Sequence, residues 1–144
     1  MGIEPFLLPS SLNLGIAQRL GRRLCEKCKT EIAPQPKILE MLEKELAGLP
    51  EQIFKDFKME KPFKLYQAAG CRFCNNKGTK GRIAIYELLS MTKELEKIIL
   101  EGPSESNILK EAQRQGMITM KQDGILKALQ GIVSLEEVLK IVEE

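Results

Sequence analysis

The apolar positions along this chain change rhythm several times, and each change predicts an element. In PSSLNLGIAQRLGRRLC, residues 9–25, Leu12, Ile16, Ala17 and Leu20 fall on one helical stripe. Ser10 or Ser11 is placed to cap that helix and Gly21 to end or weaken it. Residues 36–58 predict two short helices: Ile38, Leu39, Leu42 and Leu46 recur at helical spacing, Gly48 and Pro50 interrupt, and Ile53, Phe54 and Phe57 follow. KPFKLYQ (61–67) alternates apolar and polar residues and predicts a strand, as does RIAIYELL (82–89). The Gly- and Asn-rich CRFCNNKGTKG between them predicts a turn, making the two strands an antiparallel hairpin.

After Leu89 the period is helical to the end. Thr92, Ser104 and Ser134 are candidate N-caps, and Ser134 with Glu137 fits the capping-box pattern. Gly102, Gly116 and Gly131 sit where helices would stop, and Leu135, Val138, Leu139 and Val142 share one face of the last helix. These stripes fit the inside of a small helical bundle better than a binding surface. The expected class is α+β and mostly helical, with a cysteine lobe, a short antiparallel hairpin and a C-terminal bundle of short helices.

Composition narrows this picture. With 144 residues, 43% apolar and 29% charged, the chain has room for one globular domain plus a small lobe. No apolar run approaches the roughly 20 residues of a membrane span. MGIEPF is neither a signal peptide nor a myristoylation site, because Phe6 stands where Ser or Thr is needed. A reducing compartment, with few disulfides, is therefore expected. A net charge of +2 is too small to imply nucleic-acid binding. Histidine is absent, which excludes His-based triads, Cys–His dyads and mixed Cys/His metal sites.

The four cysteines form two pairs, CEKC at 25–28 and CRFC at 71–74, with 42 residues between them. Two Cys-x-x-Cys turns around one ion suit the tetrahedral geometry of structural zinc, which makes Cys25, Cys28, Cys71 and Cys74 the candidate ligands. Gly78 and Gly81 could turn backbone N–H groups toward the sulfurs. A redox Cys-x-x-Cys belongs at a helix N-terminus in a βαβ unit, a context neither pair has. A catalytic zinc needs an open ligand position, which four cysteines close.

Basic residues crowd the same region: Arg19, Arg22, Arg23, Lys27, Lys29, Lys77, Lys80 and Arg82. They can balance the −2 formal charge of a zinc tetrathiolate. Alternatively, Arg22, Arg23, Lys77, Lys80 and Arg82 form a face for anions or a partner, which keeps a standalone zinc-ribbon nucleic-acid binder as the second reading. Phe73 and Tyr86 are the nearest aromatics, too few for sequence-specific RNA recognition. There is no P-loop and no nucleophile elbow, so no catalytic site is recognisable.

Three stretches in this order, MGIEPFLLPSSLNLGIAQRLGRRLCEKC, GCRFCNNKGTKGRIAIYELL and EAQRQGMITMKQDGILKALQGIVSLEEVLKIVEE, resemble the C-terminal part of the ATPases of type II secretion and type IV pilus assembly. The resemblance implies a tetracysteine zinc lobe inserted at the end of a RecA-like ATPase domain, followed by a small helical subdomain. It divides the chain into a terminal core helix (1–24), the zinc lobe (25–81), a strand (82–90) and the helical subdomain (91–144). Gln18 and Arg19 match the family's QRL segment near the end of the core, and are the candidate nucleotide-proximal residues. Lys77-Gly78-Thr79 replaces the family's usual Thr-Gly-Tyr, and Ala84 its usual Gly. By the same resemblance the nucleotide-binding motifs lie upstream of Met1, which stands at an internal position of the longer sequence. The fragment is then non-catalytic, with ATP and Mg used only by its hexameric parent. The implied partners are the rest of the ATPase, neighbouring subunits and an inner-membrane platform protein. No nucleic acid is expected, and the location is the cytoplasmic side of the bacterial inner membrane.

Overall fold

A computed structural model describes residues 4–59 and 61–143. The elements run α1 (Leu7–Ser11), β1 (Leu14–Leu24), β2 (Lys29–Ile32), α2 (Pro36–Leu46), α3 (Glu51–Asp56), β3 (Leu65–Ala68), β4 (Thr79–Ser90), α4 (Lys93–Glu101), α5 (Glu105–Arg114), α6 (Met120–Leu129) and α7 (Leu135–Glu143). β1 pairs with β4, and β2 pairs antiparallel with β3. The class is α+β, with short helices and two small antiparallel sheets. Among the described residues, no helix is long and apolar enough to cross a membrane.

Two compact units emerge. One contains the chain up to Ala17 and Glu87–Thr119; the other contains Gln18–Tyr86 and the chain from Met120 onward. The helices expected together over 91–144 are thus divided, with α4 and α5 in the first unit and α6 and α7 in the second. The main core belongs to the second unit. Leu42 and Leu46 of α2, Ile85 of β4, Ile125 and Leu126 of α6, and Val138 of α7 are buried there. Helix α6 packs closely because Gly124 has no side chain; a Cβ there would lie 2.5 Å from Val138 Cγ1.

The helix expected over 12–24 is instead strand β1. Leu12, Ile16 and Leu20 are four residues apart, a spacing that satisfies both a helical and an alternating period. Gly15 and Gly21 weigh against a helix, and Gly21 lets Ile141 of α7 come where a Cβ would meet its Cδ1 at 2.7 Å. Ser10 and Ser11 end the short α1 rather than capping a longer helix. The expected hairpin is also corrected: the strands near 61–67 and 82–89 exist, but each pairs with an earlier strand.

The helical signals hold. Thr92 Oγ1 accepts from Leu95 N–H, Ser104 Oγ from Asn107 N–H, and Ser134 Oγ from Glu137 N–H, at 3.2–3.3 Å. Gly102 is the C-cap of α4, and Gly116 and Gly131 follow α5 and α6.

Candidate metal centre

The short β2–β3 ladder assembles the cysteine cluster. Its register pairs Lys29 with Ala68 and Ile32 with Leu65. Lys29 directly follows CEKC, and Ala68 lies three residues before CRFC, so the ladder brings both pairs to one end. Each pair then folds as a tight turn. Cys28 and Lys29 N–H both reach Cys25 O, at 3.3 and 3.0 Å, while Cys74 and Asn76 N–H reach Cys71 O, at 3.2 and 2.8 Å. Asn75 and Asn76 complete the second turn at φ 53 and 58, a left-handed conformation that asparagine tolerates. Cys25 N–H donates to Gly78 O at 2.9 Å and ties the two turns together. Gly78 itself has φ +69, and a Cβ there would stand 2.6 Å from Ala68 O, so glycine is required.

The four sulfurs lie within 4.8 Å of one another. Cys25 to Cys71 and Cys28 to Cys74 are 3.9 Å, and Cys71 to Cys74 is 3.8 Å. Tetrahedral zinc with Zn–S of about 2.3 Å requires S···S of about 3.8 Å, so donor set and spacing both fit that ion. They do not fit disulfides, whose sulfurs bond at about 2.05 Å.

The thiols differ in acidity. Burial and the neighbouring Cys25 sulfur raise Cys28 to about 12. At Cys74 burial opposes ionisation, but Cys71 and Gly78 N–H groups donate to the sulfur and bring it down to about 6. The Cys74 thiolate is thus favoured by the backbone, while burial and the adjoining sulfurs discourage Cys28 from ionising without a cation.

The basic residues differ in what they engage. Arg22 reaches Glu137 of α7 through Nε at 3.0 Å and Nη2 at 2.7 Å, and its backbone N–H donates to the same carboxylate. The bound guanidinium holds Glu137 below the ordinary carboxylate range. Arg23 pairs with Glu26 at 3.7 Å, and Lys29 with Glu26 at 2.7 Å. Lys80 lies 3.5 Å from the Phe73 ring centroid. Lys77 and Arg82 are exposed without an ion pair among the described residues. Gln18 is exposed on β1, and Arg19 donates to Ile141 O at 3.0 Å, holding the end of α7.

Other structural residues carried little sequence signal. Asp123 and Lys127 of α6 close the outer edge of β4, accepting from Tyr86 N–H and donating to Ala84 O, each at 2.9 Å. In the other unit Glu111 of α5 is 5% exposed. It receives hydrogen bonds from Thr92, Arg114 and Gln115, and Arg114 above all holds its pKa down to about 2. Helical spacing alone would place neither group.

The chain matches the family described as "Type II/IV secretion system protein" over residues 1–140. It is 43% identical over 139 residues to the type IV pilus assembly ATPase PilB of Thermus thermophilus, covering 96% of this chain and 14% of that protein. Against PilB of Pseudomonas aeruginosa identity is 40% over 145 residues, covering 100% of this chain and 23% of that protein. Against the type II secretion system ATPase E of Vibrio cholerae it is 39% over 144 residues, 100% of this chain and 26% of that protein. The chain therefore spans between 14% and 26% of these relatives' lengths. On the family match and these identities, the chain belongs to the type II/IV secretion system protein family, and its sequence corresponds to a region of the secretion and pilus-assembly ATPases.

Proposed function

We propose that the chain is a non-catalytic C-terminal zinc module of a hexameric ATPase that drives type II secretion or type IV pilus assembly. The observation that carries this reading is the convergence of four sulfurs at zinc spacing inside a chain of that family. Cys25, Cys28, Cys71 and Cys74 are its ligands, and a closed tetrathiolate site has no open position for catalysis. The ion fastens the two Cys turns, and with them the 42-residue excursion that carries α2 and α3 into the core.

In this reading ATP and Mg act elsewhere in the parent protein. The partners are the rest of the ATPase, neighbouring subunits and an inner-membrane platform protein, and the module works in the cytoplasm at the inner membrane. Arg19 supports this structural role by holding α7, and Gln18, exposed like Arg19, is the other member of the proposed nucleotide-side pair. The engagement of Arg22, Arg23 and Lys29 with carboxylates gives the nucleic-acid reading less support.

The test is metal analysis of the purified, reduced chain together with an ATPase assay. One zinc per chain and no turnover are expected. Much less than one zinc would remove the metal assignment, and turnover above background would remove the non-catalytic one.

A further inference from the structure

Strand β3 pairs with β2 on one side, and residues of its other edge line a cleft. Lys29 N–H turns back to Cys25 O at 3.0 Å. At the Lys29–Ala68 pair of the ladder the main-chain groups therefore face away from each other. The alternation of an antiparallel ladder makes Glu31–Tyr66 the next such pair. The N–H and C=O of Tyr66 and of Ala68 thus point away from β2, and the close approach of Gly78 to Ala68 O agrees. Among the described residues, no hydrogen bond meets Tyr66 N–H, Tyr66 O or Ala68 N–H.

Tyr66 and Ala68 line a cleft of about 590 Å³, and every residue around it belongs to the unit that holds the main core. The buried Leu24, Leu65 and Leu135 and the half-buried Ile32 and Ile38 make it largely apolar. Two charges line it as well. Lys77 is exposed, adjoins Gly78 at the Ala68 end of the edge, and makes no ion pair among the described residues. It belongs to the stretch 71–80, which carries Arg72, Lys77 and Lys80 and no carboxylate. Glu136 lies in the first turn of α7, where the helix N-terminus offsets its charge. Main-chain groups withdrawn from water need partners. An occupant of this cleft must therefore bring two acceptors and a donor at backbone spacing, together with apolar bulk. An extended peptide brings both, because a residue facing Tyr66 exchanges two main-chain hydrogen bonds with it.

We infer that this cleft docks an extended segment of a partner protein, one that adds to the edge at Tyr66 and Ala68. An apolar side chain of the segment fills the space lined by Leu24, Leu65 and Leu135, and a neighbouring Asp or Glu pairs with Lys77. Backbone hydrogen bonds supply the affinity of such a complex, and the pocketed side chain fixes its register. The acidic residue follows from charge complementarity with Lys77 and its carboxylate-free stretch. The docking chemistry uses no metal, so it stands apart from the zinc assignment.

A phage-displayed library of random seven-residue peptides, panned on the full chain, tests the assignment. Enriched sequences should combine apolar residues with an Asp or Glu. The best of them, made as a synthetic peptide, should slow amide hydrogen exchange at Tyr66 and Ala68 by about 10-fold or more. N-methylation of the peptide residue that donates to Tyr66 O should weaken binding by about 10-fold or more. Panning on Lys77→Glu, a change at an exposed position that should leave the circular dichroism unchanged, should replace the acidic preference with Lys or Arg. The proposal is overturned if no sequence is enriched, or if bound peptides leave both amides exchanging as fast as before. It is equally overturned if Lys77→Glu selects the same acidic peptides, or if every single N-methylation is tolerated. Protection of Tyr66 and Ala68 that grows with the concentration of the chain alone overturns it in favour of a second copy.

Discussion

Replacing Gly124 by alanine sets two well-known effects against each other. In an exposed helix interior the change gains about 1 kcal/mol of helix propensity. Here the added methyl would fall 2.5 Å from Val138 Cγ1 and 3.3 Å from Ile85 Cδ1. Both neighbours are 0% exposed, so neither side chain can swing into solvent. Overpacking of this kind costs about 1–3 kcal/mol, and the shortness of the first contact places Gly124→Ala near the upper end. A net loss of about 1–2 kcal/mol is expected, equivalent to about 5–10 °C in Tm for a unit of this size. Urea unfolding followed by far-ultraviolet circular dichroism reads it. Val138→Ala alone should cost about 2 kcal/mol through the cavity it leaves. The double variant should be less destabilised than the sum, by about 1–2 kcal/mol, because the new methyl enters that space. A Gly124→Ala chain as stable as the wild type, or a strictly additive double, would refute this packing argument.

Further outcomes follow from the polar contacts. Thr92→Val removes the cap at Leu95 N–H and a hydrogen bond to Glu111, and should lower stability by about 1 kcal/mol in the same titration. Glu111 has a folded pKa of about 2 against an ordinary 4.5, so its contribution is complete above the higher value and fades as pH falls toward the lower. Glu111→Gln should flatten the acid limb between those values, and an unchanged limb would contradict the assignment. Glu137→Gln retains an acceptor for Arg22 N–H whereas Glu137→Ala does not, so urea midpoints should rank wild type above Gln and Gln above Ala. Cys71→Ser and Cys74→Ser should each leave less than one zinc per chain after dialysis against a weak chelator; full occupancy in either would exclude that residue as a ligand.

What could be read from the sequence was whatever had one local meaning. The N-caps at Thr92, Ser104 and Ser134 bond within three residues, and the paired Cys spacing carries its own geometry. The stripe at Leu12, Ile16 and Leu20 failed because a four-residue interval serves either periodicity, and only pairing with β4 resolves it. β2 was too short and too polar to register: KTEI has four residues, two of them charged. Its importance lies in a partner more than thirty residues away. The capping box was half right, since Ser134 caps its helix while Glu137 turns to Arg22, a contact no local rule anticipates. Sequence shows charges without their counter-ions: Arg22 finds Glu137, and Arg23 and Lys29 find Glu26, partners that no local pattern announces.

The Asp123–Lys127 pair on α6 has a consequence beyond joining two charges. One turn of helix here imitates a missing strand, its carboxylate taking the place of a carbonyl and its ammonium that of an amide. The backbone of β4 fixes the order in which acceptor and donor must come. Exchanging the two, Asp123→Lys with Lys127→Asp, would preserve net charge and permit an ion pair, yet set donor against donor at Tyr86 and acceptor against acceptor at Ala84. This pair has a direction as well as a sign.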